Sequence, residues 1–554
     1  MADPTAAPAG RPGLPSPRAD RAALAALALA LCGAYLAAEL YLLDGRLGFP
    51  LDDSWIHLAF GRSLAAGEGL AINPGEPVAG STAPLWTALF ALWVALPGSA
   101  VAWAKAAGSL LFAAVVLLAH GLARDLIGGP TREGGLGRGL ALLAGGLTAA
   151  TGWLVWSALS GMEIALFTAL TLLGVRLHLR ERREPARRPW SLAVLGLAVL
   201  ARPEGALLVA LALADRLLCF RRVPEPGAGD AALVWEPPDR RRLAAAGLGA
   251  LAAAALVAPV AAYYAWIGGG PLPTTLAVKT GHDAGLHLPD LRYLHVAFGV
   301  LFRAQPWCAV LAPAGAVALL GRLGTGRDRG LLPALWVAGL PLAYSCLGGS
   351  PLVGNFGRYL FPLLPFVVVL GALALEPLAT ALAPGRERLR RALAALALAG
   401  LVGPAATELV RGAELYARNV HDIEEGDGAM VRWLAERLPP EALLGVVDLG
   451  YAAAELPNPI LDLVGIASPE VSGFVRRARA EGRSWRDGVL EFVEERRPDY
   501  LMVFPDWLPA VAAPGSPFRP LHAVRVPGNI TLGGDLIVLY STPWTRYPLR
   551  EEGR

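Results

Sequence analysis

The sequence predicts a polytopic α-helical membrane protein of about eleven spans with a C-terminal extracytoplasmic α/β domain. Three observations carry that expectation. The 554 residues are 55% hydrophobic and only 17% charged, with a mean hydropathy of +0.47, whereas soluble proteins are about 45–50% apolar and about 25% charged. The apolar excess falls in blocks of roughly 20 residues, enough helix to cross a hydrocarbon core of about 30 Å. Arginine is crowded into some of the connections and sparse in the others. The formal net charge is only +3, which gives no case for nucleic-acid binding.

Taken in order, residues 1–22 are polar and rich in Pro and Ala, and are expected to be a disordered cytoplasmic segment. The apolar run 23–43 exceeds the roughly 7–15 residues of a signal-peptide core and lacks a convincing cleavage site, so it reads as a retained first span. Further spans are expected at 101–123, 139–157, 161–179, 190–201, 204–219, 243–267, 294–320, 331–347, 357–381 and 391–408. Arg180, Arg182, Arg183, Arg187 and Arg188 crowd one connection, and Arg221, Arg222, Arg240, Arg241 and Arg242 another. Arg322, Arg327 and Arg329 mark a third, and Arg386, Arg388, Arg390 and Arg391 a fourth. The positive-inside rule assigns all four to the cytoplasm.

Residues 190–219 must then go out and back, turning at Arg202-Pro203-Glu204-Gly205, where Pro and Gly break helices. Each arm is short, so a shallow or re-entrant hairpin is expected. With this parity the membrane domain covers 23–408, 44–100 is its first outer loop, and 84–97 is a juxtamembrane helix. Everything after 408 lies outside.

The tail 409–554 has a different character. Met430, Trp433, Leu434 and Leu438 stand at helical spacing, and Trp485–Arg497 repeats the pattern with Val489, Phe492 and Val493. Short apolar runs at Leu443–Val447, Ile460–Val464, Tyr500–Phe504 and Leu536–Tyr540 read as strands. The tail has neither a Gly-rich phosphate loop nor a nucleophile motif, so a packing or substrate-guiding role is expected. Cys32, Cys219, Cys308 and Cys346 lie in or beside apolar blocks at neither disulfide nor metal spacing.

Chemistry is concentrated in the outer connections. The first loop holds Asp52-Asp53-Ser54-Trp55-Ile56-His57, then Asn73-Pro74-Gly75-Glu76-Pro77-Val78, then Ser81-Thr82 and Pro84-Leu85-Trp86. Adjacent residues do not face the same way on a helix. One carboxylate could therefore take a proton while the other orients the donor, or Asp53 could simply cap the helix that follows. His57 falls one turn after Asp53. Together they could contact a divalent cation, but two ligands do not define a site. Glu163, at the outer end of a span, fits either a functional role or a buried ion pair.

The first loop, from its acidic pair through Asn-Pro-Gly-Glu-Pro-Val to Pro-Leu-Trp, resembles that of the GT-C membrane glycosyltransferases. The likeness is strongest to the lipid-linked mannosyl- and arabinofuranosyl-transferase branch, including glycosyltransferase family 39. Ala201-Arg202-Pro203-Glu204-Gly205 resembles its Arg-Pro-acidic turn. Gly270-Pro271-Leu272-Pro273-Thr274-Thr275 through Lys279-Thr280 resembles its Pro-Asn-Thr…Ala-Lys loop, with Thr274 where that branch usually has Asn. Gly357-Arg358-Tyr359 through Pro365 resembles its Arg-Tyr…Pro segment.

The resemblance implies a GT-C-like enzyme in the cell (inner or plasma) membrane, with an extracytoplasmic active site. It implies transfer of a sugar from a polyprenyl-phosphate donor to a glycan, lipid or protein acceptor. In that reading Asp53 or Asp52 is the general base, Arg202, Lys279 and Arg358 hold the donor phosphate, and His57, Glu204 and Tyr359 contact substrate. No cofactor is identified. A transporter or flippase of lipid-linked saccharides is the alternative, although no internal repeat of the kind transporters carry is visible.

Overall fold

The computed structural model describes residues 17–127, 135–184, 188–224, 231–275, 287–347, 355–381 and 387–550. The first helix, α1 (Pro17–Leu42), starts six residues before the expected span and buries Leu24, Ala28, Cys32, Tyr35 and Glu39 along one side. The first loop folds into α2 (Asp52–Ala65) and α3 (Pro84–Val94), with Pro84 in the first turn, where its missing N–H is harmless. Next come α4 (Ala100–Leu126), α5 (Gly135–Ala149), α6 (Gly152–Leu159) and α7 (Ile164–Arg183).

The expected hairpin is present as α8 (Trp190–Ala201) and α9 (Gly205–Leu217), turning at Arg202-Pro203-Glu204. A two-stranded antiparallel ribbon, β1 (Cys219–Pro224) and β2 (Ala231–Glu236), follows where only a connection was expected. The bundle continues through α10 (Arg240–Gly268), α11 (Leu291–Ala304), α12 (Pro306–Leu320), α13 (Leu332–Ser345), a 3₁₀ segment (Asn355–Leu363), α14 (Leu364–Ala381) and α15 (Glu387–Ile423).

Two expected single spans are broken. Residues 294–320 split at Gln305, and the two pieces bend by 116°. Pro306 has no N–H and forces Gln305 out of the helical region, to φ −149 and ψ 76. Residues 139–157 split before Gly152 with a 53° bend. Among the described residues, four helices are long and apolar enough to cross a bilayer singly, or up to six counting each bent pair as one. Length and composition therefore support fewer crossings than the roughly eleven expected.

After α15 a π-helical turn (Glu424–Gly428) leads into the α/β domain. This contains α16 (Ala429–Arg437), β3 (Leu444–Val446), α17 (Gly450–Glu455), β4 (Ile460–Asp462), α18 (Val471–Ala480) and α19 (Trp485–Arg496). It ends with β5 (Tyr500–Val503), α20 (Pro509–Ala512), β6 (Arg519–Arg525) and β7 (Leu536–Ser541). The sheet order is β4-β3-β5-β7-β6, with β3 parallel to both neighbours and β7 antiparallel to β5 and β6. All four expected strands and both expected helices form; β6, α17, α18 and α20 were not anticipated. Strand β6 is mostly exposed, so it lacks the apolar run that marks the others.

Apolar burial falls into two cores. One lies within the bundle and includes Trp156, Trp336 and Phe361. The other joins Trp55, Phe60, Trp86 and Phe90 of α2 and α3 to Phe492, Tyr500 and Leu539 of the α/β domain. Helices α2 and α3 thus share their core with the tail domain.

A polar bolt fixes the loop's origin. Glu39 Oε2 accepts from Lys105 Nζ at 3.0 Å and from Tyr416 OH at 2.8 Å, while Glu39 Oε1 accepts from Gly48 N at 2.9 Å. All three side chains are buried, so each charge and donor needs the others.

Candidate functional site

A cavity of about 260 Å3 lies where α2, the α8–α9 turn, α13 and the 3₁₀ segment converge. Its walls carry Asp53, His57, Arg202, Glu204, Arg358 and Tyr359, six of the eight site residues expected from the sequence. Asp52 sits beside it, and Lys279 lies outside the described residues.

The 3₁₀ segment enters through Phe356 (φ 65) and Gly357 (φ 76), a left-handed pair that turns Arg358 inward. Arg358 is 2% exposed, and its Nη2 donates to Asp53 Oδ2. Its Nη1 is buried with no hydrogen-bond partner among the described residues. A guanidinium so placed offers a donor to an incoming anion while keeping a carboxylate in register. Two guanidinium groups lie close to the Tyr359 ring, Arg202 at 4.9 Å and Arg358 at 5.5 Å from its centroid.

Arg202 ends α8, where Pro203 stops the helix. Its Nη1 donates to Glu163 Oε1 at 2.9 Å and its Nη2 to Glu204 Oε1 at 2.8 Å. Glu204 also accepts from Tyr344 OH. Arg202 is therefore matched by two carboxylates. Glu163, the N-cap residue of α7, reaches His57 as well, with Oε2 at 3.2 Å from Nε2. His57 lies parallel to Phe90, with ring centroids 6.4 Å apart, and its Nδ1 is buried without a partner among the described residues.

Backbone contacts place these groups. Gly161 adopts φ +75 with the Phe49 ring packed against it, so a side chain there would collide at 2.4 Å. Ser54 Oγ donates to Ser160 O at 2.7 Å and Trp86 Nε1 to Gly161 O at 2.8 Å, tying the first loop to the turn that presents Glu163. The loop with the Thr274 departure acts as a brace: Thr274 N donates to Ala79 O at 2.9 Å and Thr275 Oγ1 to Gly80 O at 3.1 Å.

The structure separates the two candidate bases. Asp53 faces the cavity. Asp52 turns to the tail domain, where its carboxylate accepts from Gly450 N at 2.7 Å and Tyr451 N at 2.8 Å at the start of α17. Burial pushes Asp52 up to about 7; the two N–H donors oppose the rise, and the Asp53 and Asp462 carboxylates add to it. Two further acids share this seam. Asp427 is fully buried with neither oxygen hydrogen-bonded among the described residues. Burial, then Asp448 and Asp52, push it well above the usual carboxylate range. Asp448, just beyond β3, is raised by burial and by Asp52 and Asp53.

Asn73, from the Asn-Pro-Gly-Glu-Pro-Val motif, also belongs to the seam. Its Nδ2 donates to Ile460 O at 3.0 Å and its Oδ1 accepts from Ile460 N at 2.8 Å, pairing the loop with strand β4. That motif docks the domain.

Tyr344, Asp427 and Asp448 were not anticipated. Tyr344 stands in a short apolar helix with no flanking motif. An acid directly after the apolar run Leu443–Val447 was the available sign for Asp448. Among the described residues, no group of three or more His, Cys, Asp or Glu side chains could hold a metal ion.

Comparison with known proteins supports the architecture. A family model for a domain of unknown function (DUF8728) matches residues 413–545, within the tail region. No curated protein matches the chain. The crystal structure of ArnT from Cupriavidus metallidurans bound to undecaprenyl phosphate superposes with a TM-score of 0.57 at 15% identity, covering 95% of this chain and 98% of that one. The apo structure of the same protein gives a TM-score of 0.53 at 15% identity, covering 92% and 97%. The chain shares the fold of these structures over most of its length.

Proposed function

We propose that the chain is a membrane glycosyltransferase that moves a sugar from a polyprenyl-phosphate carrier to an acceptor on the extracytoplasmic side. The observation that carries the reading is Arg358, a buried guanidinium in the cavity wall with Nη2 on Asp53 and Nη1 without a hydrogen-bond partner among the described residues. One residue thereby links a site for the departing phosphate to a site for the base. The ArnT structure of the same fold is bound to undecaprenyl phosphate.

In this reading Asp53 takes the proton of the acceptor hydroxyl as its oxygen attacks the anomeric carbon. The bond from that carbon to the phosphate oxygen breaks, and the electron pair leaves with polyprenyl phosphate. The transition state is oxocarbenium-like, so it is helped by cations fixed at the departing phosphate before reaction. Arg358 supplies one such cation, Arg202 and Lys279 are candidates for others, and His57, Glu204 and Tyr359 line the substrate. Transfer with inversion, and a mannosyl or arabinofuranosyl donor, follow the resemblance in the loop motifs.

The test is transfer from radiolabelled polyprenyl-phosphate sugars in membranes containing wild type, Asp53→Asn or Asp52→Asn at equal protein level. Wild-type transfer that falls by about 10²–10⁴ in Asp53→Asn, and far less in Asp52→Asn, is the expected result. Equal transfer by all three would remove the carboxylate from the mechanism.

A further inference from the structure

Resting on that reading, we infer that His57 and Glu163 form a second proton-handling pair that clears Asp53 after it has acted. The geometry fixes what His57 can do. Glu163 paired with Arg202 is a carboxylate, which only accepts hydrogen bonds. The imidazole nitrogen 3.2 Å from it is Nε2; no hydrogen bond forms between them in this geometry, but the carboxylate charge favours the hydrogen on the facing nitrogen. In the neutral ring this makes Nδ1 a lone-pair acceptor; that atom is buried with no partner among the described residues, in a side chain that lines the cavity. The carboxylate sets the tautomer and faces the positive charge that a second proton would bring, the arrangement by which buried acids orient catalytic histidines.

Asp53 supplies the need. Its ion pair with Arg358 favours the charged carboxylate, so a proton gained from the acceptor is held against that preference. His57 stands four residues on in the same helix, on the same cavity wall, which brings the two Cβ atoms to about 5–6 Å. The proton passes from the acceptor hydroxyl to Asp53 as the glycosidic bond forms, and then from Asp53 to His57 Nδ1. Asp53 is again a carboxylate bound to Arg358, and the imidazolium rests against Glu163. The proton is released to solvent when the product leaves. No electron transfer or co-reactant is involved.

The test uses the full chain in lipid nanodiscs and measures release of labelled sugar from polyprenyl-phosphate sugar, to acceptor or to water. His57→Ala lowers kcat by about 100-fold with little change in donor KM, and added imidazole recovers about tenfold of that loss. Imidazole leaves wild type and Asp53→Asn unchanged. Glu163→Gln, which keeps the shape but removes the charge, also lowers kcat at constant KM. Wild-type kcat in His57→Ala overturns the relay. So does a loss that imidazole leaves untouched and that His57→Gln fully restores, because shape alone would then be at stake. A wild type that releases no sugar from any such donor instead removes the glycosyltransferase reading beneath it.

Discussion

The cavity and the seam beside it both gather carboxylates, and they neutralise them by different means. In the cavity Asp53 has Arg358, and Glu163 and Glu204 share Arg202. In the seam Asp52 has only backbone N–H groups, and Asp427 has no partner among the described residues. Guanidinium groups paired with acids favour the charged form of both partners in the cavity. Acids bound by amides, or by nothing, leave the seam inclined to hold protons. Adjacent residues, Asp52 and Asp53, thus serve opposite electrostatic regimes.

The comparison can be broken most severely at Arg202. Replacing it with Met leaves two buried carboxylates uncompensated, a loss of about 3–5 kcal/mol visible in thermal unfolding. Adding Glu204→Gln should return part of it, since the two residues share one network. Arg358→Ala comes next: kcat/KM should fall by about 10²–10³, with Arg358→Lys recovering little because an ammonium lacks the two-pronged geometry.

The seam gives smaller effects of a different kind. Asp52→Ala strands two buried N–H groups and should cost about 1–3 kcal/mol, while Asp52→Asn, which keeps an acceptor, costs less. Unfolding midpoints of the two variants decide it. The weakest and most diagnostic effect is pH dependence. Asp52 rises to about 7, and Asp427 and Asp448 are raised too, so the docked domain binds more protons than the unfolded chain. Their contribution is therefore fully favourable below about pH 4 and is lost as pH climbs towards 7, at up to about 1.4 kcal/mol per pH unit for each group. Asp427→Asn should flatten the midpoint-against-pH curve between pH 5 and 8. An unchanged slope would show that Asp427 is not among the groups responsible.

Much of the cavity was legible because its residues sit in local motifs at turns. Arg-Pro-Glu at a helix break and Gly-Arg-Tyr at the entry to a span are each set by nearby Pro or Gly, and the chain order alone brings them to one side. The pairing of Arg202 with Glu204, two residues on, is local; the partnerships between distant residues were not legible. Glu163 could be read as ion-paired or functional, but its two partners come from α2 and the α8 end, 106 and 39 residues away in sequence terms of their numbering, at His57 and Arg202. Tyr344 carries no local sign because its role depends wholly on packing against Glu204. The break at Gln305-Pro306 was visible as a proline but was overridden by the length of the apolar run around it. The division of labour between Asp52 and Asp53 required the tail domain, since only α17 gives Asp52 its donors.

Helix α15 runs unbroken from Glu387 to Ile423, 37 residues, before the tail domain begins. At 1.5 Å per residue it is a rod of about 55 Å, longer than the hydrocarbon core is thick. It meets the bundle through Tyr416 on Glu39 at 2.8 Å and Asn419 on Trp156 at 3.0 Å. Such a strut sets the standing height of the tail domain much as a column sets a roof. The reach of that column is fixed by helix length alone, because the residues between bundle and domain rise at a constant pitch.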